Sequence, residues 1–173
     1  MLPALTLVLG GASSGKSAYA EGLIRQSGLK PVYLATSRAE DDEMRARIAR
    51  HRDMRGPGWR TIEEPMAPET RLDDLDAGHA VLLDCATLWL SNRMLAGEDW
   101  RMAQTDLIEG LAGTPAPVIV VSNELGLSVV PENRLARQFR DAQGQLNQTL
   151  AARADLAVLV TAGLPQTLKG TPP

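Results

Sequence analysis

An α/β fold, with a mostly parallel sheet held between two helical layers, is what this sequence predicts, on three observations. Short runs rich in leucine, valine and alanine at residues 5–9, 32–35, 80–84, 118–122 and 156–161 alternate with longer amphipathic stretches. Those runs are apolar on both faces, as in strands covered by helices on either side, and the stretches between them are long enough for parallel crossovers. The composition is that of an ordinary folded protein: 44% apolar, 23% charged, mean hydropathy −0.13. At 173 residues the chain fits one domain spanning 1–173, large enough to bury a core without staples.

Taken in order, residues 5–9 form the first predicted strand. The stretch before and through it, MLPALTLVLGG, has no charged leading region and is stopped early by glycines, so it reads as a buried strand and not as a signal. Predicted helices follow at roughly 15–27, 39–53, 87–95, 101–111 and 132–154. The last carries Leu135, Phe139, Ala142 and Leu146 at three- and four-residue spacing, a core-facing stripe. Glycine and proline cluster at 56–58, 114–117 and 169–173, which reads as connections and a loose tail. No stretch approaches the ~20 apolar residues a membrane-spanning helix needs.

Several functional classes are excluded. A net charge of −3 and a pI near 5.4 supply no basic field for nucleic acid, so any anion site must be local. One cysteine, Cys85, rules out an internal disulfide and a cysteine zinc cage, and two histidines leave little for a histidine metal site. The expectation is a cytoplasmic protein with no structural metal, no membrane anchor and no nucleic-acid partner.

Between the first strand and first helix lies Gly10-Gly11-Ala12-Ser13-Ser14-Gly15-Lys16-Ser17, which satisfies G-x-x-x-x-G-K-[ST] in the strand–loop–helix setting the motif requires. Small residues let the backbone wrap a phosphate chain, and the loop amides and helix dipole attract the anion. Lys16 reaches the outer phosphates, and the Ser17 hydroxyl can ligate magnesium. The expected ligand is GTP or ATP with Mg2+, and the α/β prediction narrows to a three-layer P-loop NTPase-type, RecA-like sandwich. A second magnesium group is commonly an acid at the end of an apolar strand, and Asp84 closes Val81-Leu82-Leu83-Asp84. Asp84 also suits an N-cap for the following helix.

Arg45, Arg47, Arg50, Arg52 and Arg55 fall within eleven residues of an acidic protein, a local anion site beyond what helix electrostatics ask for. Met44, Ile48 and His51 share a helix face there, so the imidazole is part sheltered and ringed by cations, which keeps it neutral and nucleophilic. The spacing alone leaves a helix-capping histidine and a nucleophile both open. His79, after Asp76-Ala77-Gly78 at the entry of a strand, reads as a surface turn residue without chemistry.

GGASSGKS, YLATS after the second strand, DDEMRARIARHRDMR, WRTIEE and SNELGLSVVPENRLARQFRDAQGQLNQ arrive in one order from about Leu5 to about Gly163. In that combination the chain resembles the bifunctional adenosylcobinamide kinase / adenosylcobinamide-phosphate guanylyltransferase family of cobalamin biosynthesis. The resemblance implies phosphorylation of the aminopropanol arm of adenosylcobinamide, then conversion of the phosphate to adenosine-GDP-cobinamide with release of pyrophosphate, through a guanylylated histidine matched by His51. It implies a nucleotide site on Gly10, Gly11, Ala12, Ser13, Ser14, Gly15, Lys16 and Ser17, on Ala35, Thr36 and Ser37, on Arg52, Asp53, Met54 and Arg55, and on Glu63 and Asp84. His51 and Lys16 are the implied catalytic residues, and Ser17 with Asp84 the metal pair. The partners are adenosylcobinamide, its phosphate and GTP, and the resemblance suggests a homo-oligomer, a trimer being one form. Ser13 departs from the loop of one family member, which has an arginine there. The rival readings are a single-activity P-loop small-molecule kinase, a structural ATPase module, and a GTP-dependent switch; for the last, Asn123-Glu124-Leu125-Gly126 lacks the lysine and aspartate of N-K-x-D.

Overall fold

The structure, a computed structural model, describes residues 1–38 and 55–173. The helix expected over 39–53 lies outside the described residues. Among them, β1 (Leu5–Gly10), β2 (Lys30–Ala35), β3 (Arg60–Glu63), β4 (His79–Asp84), β5 (Val118–Asn123), β6 (Leu156–Thr161) and β7 (Leu164–Lys169) form one sheet in the order β3-β2-β4-β5-β1-β6-β7. Every pairing is parallel except that of β6 with β7. The helices are α1 (Lys16–Ser27), α2 (Ala86–Leu95), α3 (Trp100–Gly113) and α4 (Arg134–Arg153), with a 3-10 turn at Pro68–Arg71. All five predicted strands and the four predicted helices that fall in described residues are present, with ends shifted by one or two positions.

The two-residue period of the strands divides the core in two. Leu5, Leu7, Leu9, Val32, Leu34, Val81, Leu83, Val118 and Val120 face α2, α3 and α4, packing with Trp89, Leu90, Leu107 and Leu146. Val8, Tyr33, Ala35, Ala80, Leu82, Ile119, Val121 and Val158 face α1, packing with Ala20, Leu23 and Ile24. Central strands are therefore apolar at most positions on both faces, and β1 is buried along its whole length.

Two strands went unpredicted. β3 is short and mostly exposed, and β7 is exposed at all six positions, so neither carries a hydrophobic period. Both are edges, and pairing alone makes them strands. Of the expected loose tail at 169–173, Lys169 belongs to β7, while 170–173 are exposed and carry no strand or helix. Residues 162 and 163 turn with φ of 52° and 79°, both left-handed, which matches the twist of a two-residue hairpin. Lys169 Nζ then donates to the carbonyls of Ala151 and Ala152 at 3.1 and 2.9 Å, satisfying the C-terminal end of α4. His79 stands where the turn enters β4, half-buried rather than fully exposed, with Nδ1 2.7 Å from Asp76 Oδ1.

The connections diverge at β1. The chain leaves β1 through α1 for β2, three strands away, and returns from β5 through α4 to β6 on the other side. The carboxyl ends of β1 and β5 flank that divergence, where parallel α/β sheets hold ligands.

Candidate nucleotide site

Gly10 ends β1 and Lys16 opens α1, so residues 11–15 make the whole turn. The loop is closed by its own bonds. Ser14 N donates to Gly11 O at 3.3 Å, and Lys16 Nζ donates to Gly11 O at 3.0 Å. Two neighbouring elements hold it from outside: Glu124 N donates to Gly10 O at 3.1 Å, and Gly163 N, in the β6–β7 turn, donates to Ser14 O at 2.8 Å. Gly15 has φ 93° and caps α1 without a side-chain bond, and the first turn holds no acidic residue. The amides at the start of α1 are therefore not claimed by a side-chain cap, and the dipole there favours an anion. Gly10 is required sterically, since a Cβ would fall 2.3 Å from Ser14 Oγ and 2.7 Å from Val160 O. Ser14 Oγ is buried with no hydrogen-bond partner among the described residues.

Register brings the other predicted residues to the same end of the sheet. Asp84 pairs with Ala35, Ala35 with Glu63, and Gly10 with Asn123. Strand parity turns Ala35, Asp84 and Asn123 toward the α1 face. Asp84 Oδ2 accepts from Tyr33 Oη at 3.0 Å and from Ser17 Oγ at 3.5 Å. It is not the N-cap of α2; Cys85 is, with no side-chain cap bond. Two hard oxygen donors face each other here, a set that suits Mg2+ completed by phosphate oxygens and water. No group of three or more His, Cys, Asp and Glu among the described residues could hold a metal by itself.

Other expected residues do different work. Thr36 is fully buried, and its Oγ1 donates to Cys85 O at 2.7 Å while accepting from Cys85 N at 2.8 Å. Asn92 Nδ2 donates to Thr36 O at 2.8 Å. That hydroxyl joins the ends of β2 and β4. Ser37, next along, is half-buried, and Glu63 is exposed at the end of β3. Arg55 was expected on the phosphates, yet it is 5% exposed and lies over the Tyr33 ring, with Cζ 3.4 Å from the centroid. A cation over an aromatic face is attracted by the ring quadrupole, and that interaction strengthens on burial. His51, Arg52, Asp53 and Met54 lie outside the described residues.

Several titrating groups nearby are displaced. Burial, with the charge of Asp84 adding to it, pushes the Tyr33 hydroxyl far up, so it remains a donor. Burial pushes the Cys85 thiol up to about 11. Burial also raises Glu21, against the opposing pull of Arg25 and Arg55. Asn133 and Glu124 from the later motif blocks have local roles: Asn133 caps α4 by accepting from Leu135 N and Ala136 N, and Glu124 Oε1 accepts from Gly126 N at 2.7 Å.

Sequence reasoning missed Tyr33 and Gly163. Tyr33 had two signals, its place at the head of the YLATS block and its position two residues before Ala35, hence on the same sheet face. Gly163 had only Ala162-Gly163 between alternating residues, without the asparagine or aspartate that usually marks such turns.

Loop, helix dipole and strand-end carboxylate together define a nucleotide-binding protein of the P-loop NTPase type. Solved structures agree on the fold. The flagellar accessory protein FlaH from Methanocaldococcus jannaschii superposes with a TM-score of 0.55 at 12% identity, covering 99% of this chain and 80% of that one. A type III secretion system ATPase gives 0.52 at 12% identity, covering 94% and 56%. The chain belongs to the cobinamide kinase / cobinamide phosphate guanyltransferase family, whose model matches residues 6–168. It is 46% identical over 169 residues to the bifunctional adenosylcobalamin biosynthesis protein CobP of Pseudomonas aeruginosa, covering 96% of this chain and 98% of that protein. Against CobU of Salmonella typhimurium, also named bifunctional, identity is 43% over 176 residues, with 92% and 97% covered.

Proposed function

We propose that this protein phosphorylates adenosylcobinamide and then transfers GMP from GTP to the product, through a GMP–histidine intermediate on His51, yielding adenosine-GDP-cobinamide. The observation that carries the reading is the loop 10–17 between β1 and α1, facing Asp84 through Ser17, in a chain of this family.

In the first reaction the acceptor hydroxyl oxygen attacks the γ-phosphorus. The bond to the β–γ bridging oxygen breaks, the nucleoside diphosphate leaves, and the hydroxyl proton passes to water. Lys16 and the loop amides neutralise charge on the transferred group, where most catalysis of phosphoryl transfer arises. Ser17 and Asp84 would hold Mg2+, which would add positive charge on the phosphate oxygens. In the second reaction an imidazole nitrogen of His51 attacks the α-phosphorus of GTP and pyrophosphate leaves. A phosphate oxygen of adenosylcobinamide phosphate then attacks that phosphorus, the P–N bond breaks and His51 is regenerated. Arg52 neutralises displaced charge, Arg55 anchors the segment behind it, and Asp53 and Met54 complete that stretch. Ser37 and the backbone at Ala35 and Thr36 line the nucleotide, and Glu63 takes ribose hydroxyls or the guanine edge. On this reading residues 1–173 act as one cytoplasmic catalytic domain that forms a homo-oligomer.

Intact-mass spectrometry after incubation with GTP and Mg2+ tests it. Wild type is expected to gain one acid-labile GMP. His51→Ala is expected to gain none while still phosphorylating cobinamide, and ATP is expected to leave no adduct. Kinase activity in wild type without any adduct would favour the single-activity kinase.

A further inference from the structure

Tyr33 opens the YLATS block but is given no role by it, and it touches both halves of the site. It is 9% exposed on the α1 face of β2. Its hydroxyl donates to the Asp84 oxygen that Ser17 Oγ also approaches. The ring carries the Arg55 guanidinium on its face and meets Trp59 edge-on, with centroids 6.5 Å apart. Arg55 is the first described residue after the stretch that contains His51, and it is tied down again where Arg25 Nη2 donates to its carbonyl at 2.9 Å. Arg25 in turn pairs with Glu21 on α1 at 3.3 Å. One side chain thus joins the carboxylate beside the phosphate loop to the end of the arginine-rich segment.

We infer that Tyr33 is a positioning residue for the divalent metal: its hydroxyl orients the Asp84 carboxylate toward Ser17, and Arg55 stacked on its ring holds that hydroxyl in place. This rests on the reading of Asp84 as a metal-side carboxylate. A free carboxylate samples several rotamers, and fixing one by a buried donor removes an entropic cost from metal binding; outer partners of ligands commonly change metal affinity tenfold or more. Arg55 completes the chain of contacts, because loss of the stack frees the ring that carries the donor.

The test is Mn2+ binding to the full-length protein with GDP present, followed by electron paramagnetic resonance. Tyr33→Phe keeps ring and stack and removes only the donor, and melting temperature without nucleotide checks its fold. Expected are about tenfold weaker Mn2+ binding in Tyr33→Phe and about threefold weaker in Arg55→Met. In Tyr33→Phe the Mg2+ concentration giving half-maximal kinase rate should rise in parallel, with kcat at saturating Mg2+ nearly unchanged. Tyr33→Phe within twofold of wild type, while Asp84→Asn loses the metal, would overturn the role of Tyr33 and leave the Asp84 reading intact. Unchanged Mn2+ binding in Asp84→Asn would overturn both. Should Tyr33→Phe fail to fold, 3-fluorotyrosine at the two tyrosines, assigned with Tyr19→Phe, supplies the readout. The position-33 fluorine signal should shift when Mg2+ joins the GDP complex, and an unmoved signal would overturn the inference.

Discussion

Lys16, Gly10 and Cys85 show how differently single residues constrain this site. On the proposed reading Lys16 supplies a charge to the outer phosphates, and removal of one such preorganised group typically costs 100- to 1,000-fold in rate. Lys16→Ala is therefore expected to lower cobinamide kinase kcat by roughly 100-fold or more, with the melting temperature close to wild type. Gly10 supplies space. Gly10→Ala puts a Cβ against Ser14 Oγ and the Val160 carbonyl, and the carbonyl cannot rotate away. It should cost roughly 1–3 kcal/mol of stability in a urea titration and weaken binding of a fluorescent GDP analogue. Cys85 is fixed by its surroundings, with burial holding the thiol at about 11. About a thousandth of it is ionised at pH 8, so iodoacetamide should label it far more slowly in the native protein than in urea. Its raised pKa means the folded state keeps a proton that the unfolded chain loses. The thiol's stabilising contribution is complete below the unfolded value near 9 and falls as pH rises through about 11, and alkaline unfolding curves should show that slope.

At the scale of elements, the loop depends on what stands behind it. Ser122 and Asn123 of β5 are clamped to α4: Ser122 Oγ donates to Asn147 Oδ1 at 2.7 Å, and Gln143 Nε2 donates to both at 2.9 Å. Asn147 Nδ2 donates to Asn123 O at 3.0 Å, while Asn123 N donates to Thr87 Oγ1 at 2.8 Å. Asn147→Ala strands buried polar groups, and a loss of roughly 2 kcal/mol is expected in chemical denaturation. The β6–β7 turn is a second support. Gly163 has φ 79°, which a branched side chain disfavours, and its N–H holds Ser14 O. Gly163→Val should weaken nucleotide binding more than it lowers the melting temperature, because the hairpin is peripheral and the loop is not. These elements were legible in unequal measure. β1, β4 and β5 declare themselves because both faces are buried and most positions are apolar. β3 and β7 are invisible as sequence, since an exposed edge strand owes its conformation to the hydrogen bonds of its neighbour.

At the scale of the whole molecule, ligand binding and folding are linked, because a site assembled from β1, α1, β2 and β4 exists only in the folded chain. GTP with Mg2+ at 100 times its Kd should add about 2.7 kcal/mol of stability. For a domain of this size that raises the melting temperature by roughly 5–10 °C. Lys16→Ala should show little of that rise at the same nucleotide concentration. The sequence by itself determined the α/β class, the phosphate loop, the strand-end carboxylate and the family, because each rests on residues adjacent in the chain or on a short period along it. Only the tertiary structure decided which long-range partners the expected site residues have. Thr36 is spent on Cys85 and Arg55 on Tyr33, and Tyr33 is bonded to Asp84, since sheet register and burial set those partnerships between residues as many as 51 positions apart. Local pattern carries no record of such distances; packing creates them.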